Sequence, residues 1–321
     1  MSISSRELNT GSVNKVDVSV IIVNYNTKEL IYNCIKSIQN NTRNINYEII
    51  VVDNDSKDGS NELIQREFPE VKLVKNGYNL GFGKANNVGR RLAKGKYVFY
   101  LNSDTILLNN AIKIFYDYWE NNNDDNLFAL GTILLDKDGN TIHSGGRFPT
   151  YSSIYKYQLH RDITNFIKMF MKFFHLKFLY KKMKSNGSEI VTDFSDVEYI
   201  TGADLFMKND QDAEFDTNYF MYYEETDMQY QLFKAGKHAK LLEQPQIIHL
   251  SYKENKEIQL ARLTDIYIEI SSVYYAKKNL GKNGLLLRAL IFIDSLNPYV
   301  RSKYKTVTKN YKNYLNVKDK Y

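Results

Sequence analysis

"VSVIIVNYNTKELIYNCIKSIQNNTRNINYEIIVVDND", Val18 to Asp55, holds two β-branched runs on either side of one stretch with helical spacing. VSVIIVNYN is almost continuous in Val and Ile, the pattern of a strand buried on both faces. In TKELIYNCIKSIQNN, the residues Leu30, Cys34, Ile35 and Ile38 fall on one helical face, with Thr27 as a cap residue. YEIIVVDND then repeats the strand pattern. Working outward, SKDGSNELIQREF reads as a second helix, VKLVKN as a third strand, GKANNVGRRLAKG as a third helix and KYVFYLNSD as a fourth strand. Alternation of this length predicts a largely parallel, Rossmann-like α/β sheet with right-handed crossovers. Ligands of such sheets bind beyond the carboxyl ends of the strands. Those ends read NYN, DND, KNGYN and NSD, all polar and all expected to face one crevice.

Composition narrows the function classes. The chain has 321 residues, 43% of them hydrophobic, enough for one large core with an appendage. Its net charge of +6 suits phosphate-bearing ligands or anionic membrane surfaces and is too small to argue for nucleic acid. Cys34 is the sole cysteine, so no intramolecular disulfide or cysteine metal cluster can form. The first residues lack a signal peptide's apolar core, and no run reaches the ~18 apolar residues of a membrane span. A cytoplasmic protein is expected.

The ordered strings VSVIIVNYN, EIIVVDNDSKDGS, NGYNLGFGKANNVG and YVFYLNSD resemble the nucleotide-binding half of the inverting family-two glycosyltransferases, whose fold is the A-type. ITGADLFMK, FMYYEETDMQYQLFKAGK and IIHLSY follow in the order of that family's acceptor half. The resemblance covers roughly Val16 to Tyr252 and is closest to the rhamnosyltransferase-like branch of bacterial surface-polysaccharide enzymes. It implies residues 1–15 as a flexible N-terminus, 16–252 as the catalytic domain and 253–321 as a helical C-terminal region. Within the catalytic domain, 16–110 would bind the nucleotide-sugar and 111–252 the acceptor.

Transfer of a sugar from a nucleotide diphosphate needs a seat for the nucleoside, neutralisation of the leaving diphosphate and a base for the acceptor hydroxyl. Asp53 is placed to accept a hydrogen bond from a pyrimidine N–H, with Asn24 and Tyr25 lining the same pocket. Asp55 and Ser56 read as helix caps. Asn79, Gly81 and Asn86 belong to a glycine-rich stretch without the dinucleotide fingerprint, where the backbone would approach the nucleotide. In extended chain Asn102 and Asp104 point the same way. The family pattern there is Asp-x-Asp, so Asp104 is expected to ligate Mg²⁺ or Mn²⁺ while Asn102 and Ser103 face the donor. The resemblance gives His249 as the second metal ligand.

The base is expected in YYEETDMQYQLFKAGK, a short helix capped by Gly236 whose first turn holds Glu224, Glu225 and Asp227. The helix dipole accounts for one or two of these acids, and three exceed what capping needs. Glu225 takes the place of the aspartate in the family's Glu-Asp-x-Asp motif, and the choice among the three stays open. Gly202 would let the backbone pass close to the donor sugar, and Asp204 would meet the acceptor.

Outside the motifs, residues 165–185 form an aromatic, lysine-interrupted stretch suited either to the inner membrane face or to packing, including against a second copy in a homodimer. The expected partners are a nucleotide-sugar donor and a glycan or lipid-linked glycan acceptor. A nucleotidyltransferase would want a basic glycine-rich loop after the first strand, which NYNTKEL is not. A non-catalytic nucleotide-sugar-binding protein would lack the acids around Glu225.

Overall fold

The computed structural model describes residues 15–173, 197–209, 214–250 and 263–317. The expected alternation is present. Strand β1 (Val18–Asn24) leads through helix α1 (Lys28–Asn41) to β2 (Tyr47–Asp53), then α2 (Ser60–Glu67), β3 (Lys72–Lys75), α3 (Phe82–Arg91) and β4 (Tyr97–Leu101). These four strands are mutually parallel in the order β3-β2-β1-β4. The sheet continues with β9 (Asp204–Lys208), β6 (Leu127–Thr132) and β10 (His238–Leu242), giving the order β10-β6-β9-β4-β1-β2-β3. Because β9 runs antiparallel to both β4 and β6, the sheet is mixed.

The continuous apolar runs are explained by helices on both faces. Val18, Val20 and Ile22 of β1 enter one apolar cluster with the α1 residues Cys34, Ile35 and Ile38, while Ile21 enters another. β4 divides the same way, with Tyr97, Phe99 and Leu101 on one side and Val98 and Tyr100 on the other. Two faces of apolar side chains leave only the strand ends to carry polar chemistry.

Two small antiparallel pairs complete the frame. β5 (Thr105–Leu107) pairs with β11 (Ile247–His249), placing His249 opposite Thr105, and β7 (Gly145–Gly146) pairs with β8 (Tyr199–Ile200). Helices α4 (Ala111–Asn121) and α5 (Tyr151–Phe173) follow β5 and β7, and α6 (Glu224–Lys234) precedes β10. The chain closes with α7 (Leu263–Asn279), α8 (Leu285–Ser295) and α9 (Pro298–Val317). The expected domain boundary at 252/253, and most of the 165–185 stretch, lie outside the described residues. No helix among the described residues is long and apolar enough to cross a membrane.

The C-terminal helices brace the segment before α6. Phe220 packs on Tyr267 and Tyr314 at ring distances of 5.0 and 5.3 Å. Ser271 donates to the Met221 carbonyl at 2.8 Å, and the Tyr311 hydroxyl to that of Asn218 at 2.6 Å. The tyrosines of the tail thus hold the segment that leads into α6.

Candidate active site

Asp104 and His249 meet. The Asp104 carboxylate lies 3.1 Å from His249 Nε2, with the two side chains 23% and 21% exposed. Asn102 Nδ2 stands 3.4 Å from the same nitrogen. The alternation argument is corrected here, because β4 ends at Leu101. Asn102 and Asp104 occupy the turn before β5, closed by Thr105 donating its N–H (3.3 Å) and hydroxyl (2.8 Å) to the Asn102 carbonyl. They converge because β5 pairs with β11 and brings His249 across, and the Leu250 N–H donates to the Asp104 carbonyl at 2.8 Å. A carboxylate oxygen and an imidazole nitrogen at this spacing, both reachable from solvent, fit a hard divalent ion with positions left for phosphate and water.

Among the described residues a second acidic group, Asp162, Glu269 and Asp294, has ligand atoms within 4.8 Å of one another. Arg161 already stands among these carboxylates as their cation, 3.0 Å from Asp162 and 3.4 Å from Asp294 and ion-paired to Glu269. That cluster joins α5 to α7 and α8.

The acid helix is sorted by its partners. Asp227 is buried, and its oxygens accept from Lys278 Nζ and Asn279 Nδ2, each at 2.6 Å, which ties α6 to the end of α7. The base reading for Asp227 is therefore corrected to a tether. Asp227→Asn is expected to lower unfolding free energy by about 1–3 kcal/mol, the range for hydrogen bonds to charged groups. Transfer at low temperature should be largely kept; thermal melting beside an activity assay checks both.

Glu224 is buried against α3, since a Cβ on Gly83 would lie 3.2 Å from its side chain. Burial, with Glu225's charge behind it, holds its carboxyl well above the usual range. Glu225 is half-buried, and burial raises its pKa too. It faces Gly202, where a Cβ would stand 3.6 Å from the Glu225 Cβ and 3.0 Å from the Phe82 ring. Next to Gly202, the Ala203 carbonyl accepts from Asn102 N–H at 3.1 Å, so the turn that leads into β9 links the residue Glu225 packs on to the one beside the Asp104 turn. Burial raises the pKa of Tyr222, and the charges of Glu224, Asp265, Glu225 and Asp104 add to that.

Tyr222 went unrecognised in the sequence. It and Tyr223 sit at φ 68° and 70°, left-handed backbone that costs non-glycine residues about 1–3 kcal/mol each. Asn26 (φ 54°) and Asp55 (φ 69°) adopt the same region beyond β1 and β2. Strain of this kind concentrates where the surroundings fix a site.

The residues expected on the nucleotide side bond largely to one another. Asn24 and Asp53 are fully buried and bonded to each other at 2.8 Å. Asp53 also accepts from the Ser56 N–H (2.9 Å) and Asn61 Nδ2 (3.0 Å), and Asn24 accepts from Thr27 at 2.6 Å. Thr27 in turn lies 3.0 Å from the Ser103 hydroxyl. These side chains lock the strand ends together, and a pyrimidine N–H could reach Asp53 only by displacing or sharing one of those bonds.

Gly81 approaches protein rather than nucleotide. At φ +72° a Cβ there would fall 1.9 Å from the Phe220 carbonyl oxygen, so the loop lies directly on the strained segment. Asn79 caps this loop by accepting from Gly81 N–H at 2.9 Å. Asn86 is buried and donates to the Phe82 carbonyl at 3.2 Å within its own helix. Asn54, overlooked in the sequence, holds the loop by donating to the Gly81 carbonyl at 2.9 Å. Asp204 is fully buried on β9, accepting from Thr132 N–H at 2.7 Å, and does not face an acceptor. Tyr25, 48% exposed beyond β1, is open to a ligand.

The glycosyl transferase family 2 model matches residues 19–186, just over half of the chain. The Staphylococcus aureus poly(ribitol-phosphate) β-N-acetylglucosaminyltransferase TarP is 32% identical over 131 residues, covering 39% of this chain and 39% of TarP. The Escherichia coli UDP-Glc:α-D-GlcNAc-diphosphoundecaprenol β-1,3-glucosyltransferase WfaP is 34% identical over 112 residues, covering 32% of this chain and 44% of WfaP. The chain spans less than half the length of either relative. The crystal structure of S. aureus TarS 1–349 aligns with 93% of this chain and 92% of its own at 14% identity, with a TM-score of 0.49.

Proposed function

The chain belongs to glycosyl transferase family 2, and on that premise we propose that it moves a sugar, with inversion, from a dTDP- or UDP-linked donor to a hydroxyl of a surface-polysaccharide or lipid-linked glycan. The observation that carries this reading is the Asp104–His249 pair beyond the carboxyl end of β4, with Glu225 against Gly202, whose neighbour Ala203 is bonded to Asn102. TarP and WfaP, named for transfer to a poly(ribitol-phosphate) and to a diphosphoundecaprenol-linked sugar, favour an acceptor of that kind. Hexosyl and rhamnosyl donors both fit it, and work at the inner membrane face follows from a lipid-linked acceptor.

Asp104 and His249 would hold a divalent ion, which when bound supplies positive charge to the leaving diphosphate. Asn102 and Tyr25 orient the donor. Glu225, ionised, takes the proton of the acceptor hydroxyl as its oxygen bonds the anomeric carbon. The electron pair of the old C–O bond leaves with the diphosphate. Its half-buried position suits Glu225 to this, since burial brings its pKa closer to working pH.

A panel of nucleotide sugars including dTDP-rhamnose, UDP-glucose and UDP-N-acetylglucosamine, assayed for nucleoside diphosphate release with Mn²⁺ and a polyprenyl-diphosphate-linked sugar, tests the reading. At least one donor should turn over in an acceptor-dependent way. No nucleoside diphosphate from any donor, with added pyrophosphate converting a donor to nucleoside triphosphate and sugar 1-phosphate, would point to nucleotidyl chemistry.

A further inference from the structure

The C-terminal helices carry an outward face that the transfer chemistry does not use. In α9, Val300, Tyr304, Val307 and Tyr314 point into the protein, leaving Arg301, Lys305, Lys309 and Lys312 along the opposite, exposed side. With Arg288 of α8 these cations line a groove between the two helices. None of the five forms an ion pair among the described residues.

Helix α8 is turned the other way from an ordinary surface helix. Leu287 and Asp294 are buried, while Leu285, Leu286, Phe292, Ile293 and Leu296 are exposed, Phe292 to 64%. The neighbouring α5, linked to α8 by Arg161 and Asp294, exposes Ile163 and Phe166 as well. An outward apolar face beside a cationic one is the composition of a surface that sits in a bilayer interface, rings and leucines among acyl chains and cations at the headgroups.

We propose that the α8–α9 face docks the protein onto an anionic lipid bilayer, Arg288, Arg301, Lys305, Lys309 and Lys312 meeting the phosphates while Leu285, Phe292 and Leu296 enter the apolar layer. Charge complementarity selects this occupant. A second copy meeting the same face about a two-fold axis would set these five cations against five more. The inference deepens the membrane part of the proposed function and is separable from it, because vesicle binding needs no donor and no turnover. It also places the bilayer beside the helices that hold residues 217–223, on the route by which a lipid-linked acceptor would reach Glu225.

Flotation with phosphatidylcholine vesicles, with and without phosphatidylglycerol, tests it. Wild type should bind the anionic vesicles and be released by salt. Lys305→Glu combined with Lys309→Glu should weaken that binding roughly tenfold or more. Phe292→Ser with Leu296→Ser should weaken it at both salt concentrations. Both double variants change exposed side chains only, so nucleoside diphosphate release from the donor on transfer to a soluble acceptor should stay at the wild-type level. Wild-type binding to neutral and anionic vesicles alike, or unchanged binding by the charge-reversed variant, would overturn the proposal. So would sedimentation showing a wild-type dimer that Phe292→Ser with Leu296→Ser dissociates, which would assign the face to a second copy.

Discussion

Glu225→Gln should bind the donor as tightly as wild type and transfer its sugar roughly 10²–10⁴-fold more slowly, the usual span for a lost general base. Glutamine keeps the side chain's shape and its place against Gly202 but has no basicity. Wild-type turnover should depend on pH in a matching way. Burial raises the Glu225 pKa, so the group stays protonated and idle to a higher pH than an ordinary glutamate. Turnover should fall as pH drops through that raised value, and the Gln variant should lose this acid limb. Glu224→Gln, which neutralises a group that burial already holds toward its neutral form, should cost much less. The reverse ordering, with Glu224→Gln inactive and Glu225→Gln active, would move the base by one position and point it at α3.

Asp104→Asn should lose roughly 10²–10³-fold in transfer, as removal of a group that stabilises developing charge commonly does. The side chain is partly exposed in a turn, and the variant should melt at the wild-type temperature. Its defect should show in metal affinity as well as in rate: Mn²⁺ binding, read by calorimetry in the presence of nucleoside diphosphate, should be lost or greatly weakened. His249→Ala should weaken it less, because the carboxylate and the diphosphate oxygens remain. Full turnover by wild type in the presence of chelator would count against any role for the ion.

The sheet was legible because strands buried on two faces must be apolar along their length, and Val20–Val23 and Ile49–Val52 are. The asparagines and glycine beyond β1 and β3 could not be sorted in the sequence, for a physical reason. Asn24, Asn86 and Gly81 are as suited to a backbone latch as to a ligand, and nothing local says which partner arrives. The partner of Gly81 is Phe220, far along the chain, and sequence spacing carries no sign of it. The three acids of α6 looked equivalent until Lys278 and Asn279 occupied Asp227. Asp104 and His249 were found through the order of the family's motifs, while the turn and the β5–β11 pairing that join them were not foreseen. The stretch after Pro298 is rich in lysine and tyrosine, and its spacing gave no sign that Tyr304 and Tyr314 are core residues in the cluster that Tyr222 packs against.

The central claim is that one crevice binds the donor through Asp104 and spends it through Glu225. Calorimetric titration of nucleoside diphosphate with Mn²⁺ into wild type, Asp104→Asn and Glu225→Gln tests it most directly. Metal-dependent binding should be equal in wild type and Glu225→Gln and absent or greatly weakened in Asp104→Asn. Equal binding by all three proteins, or binding by wild type that does not need the metal, would contradict it.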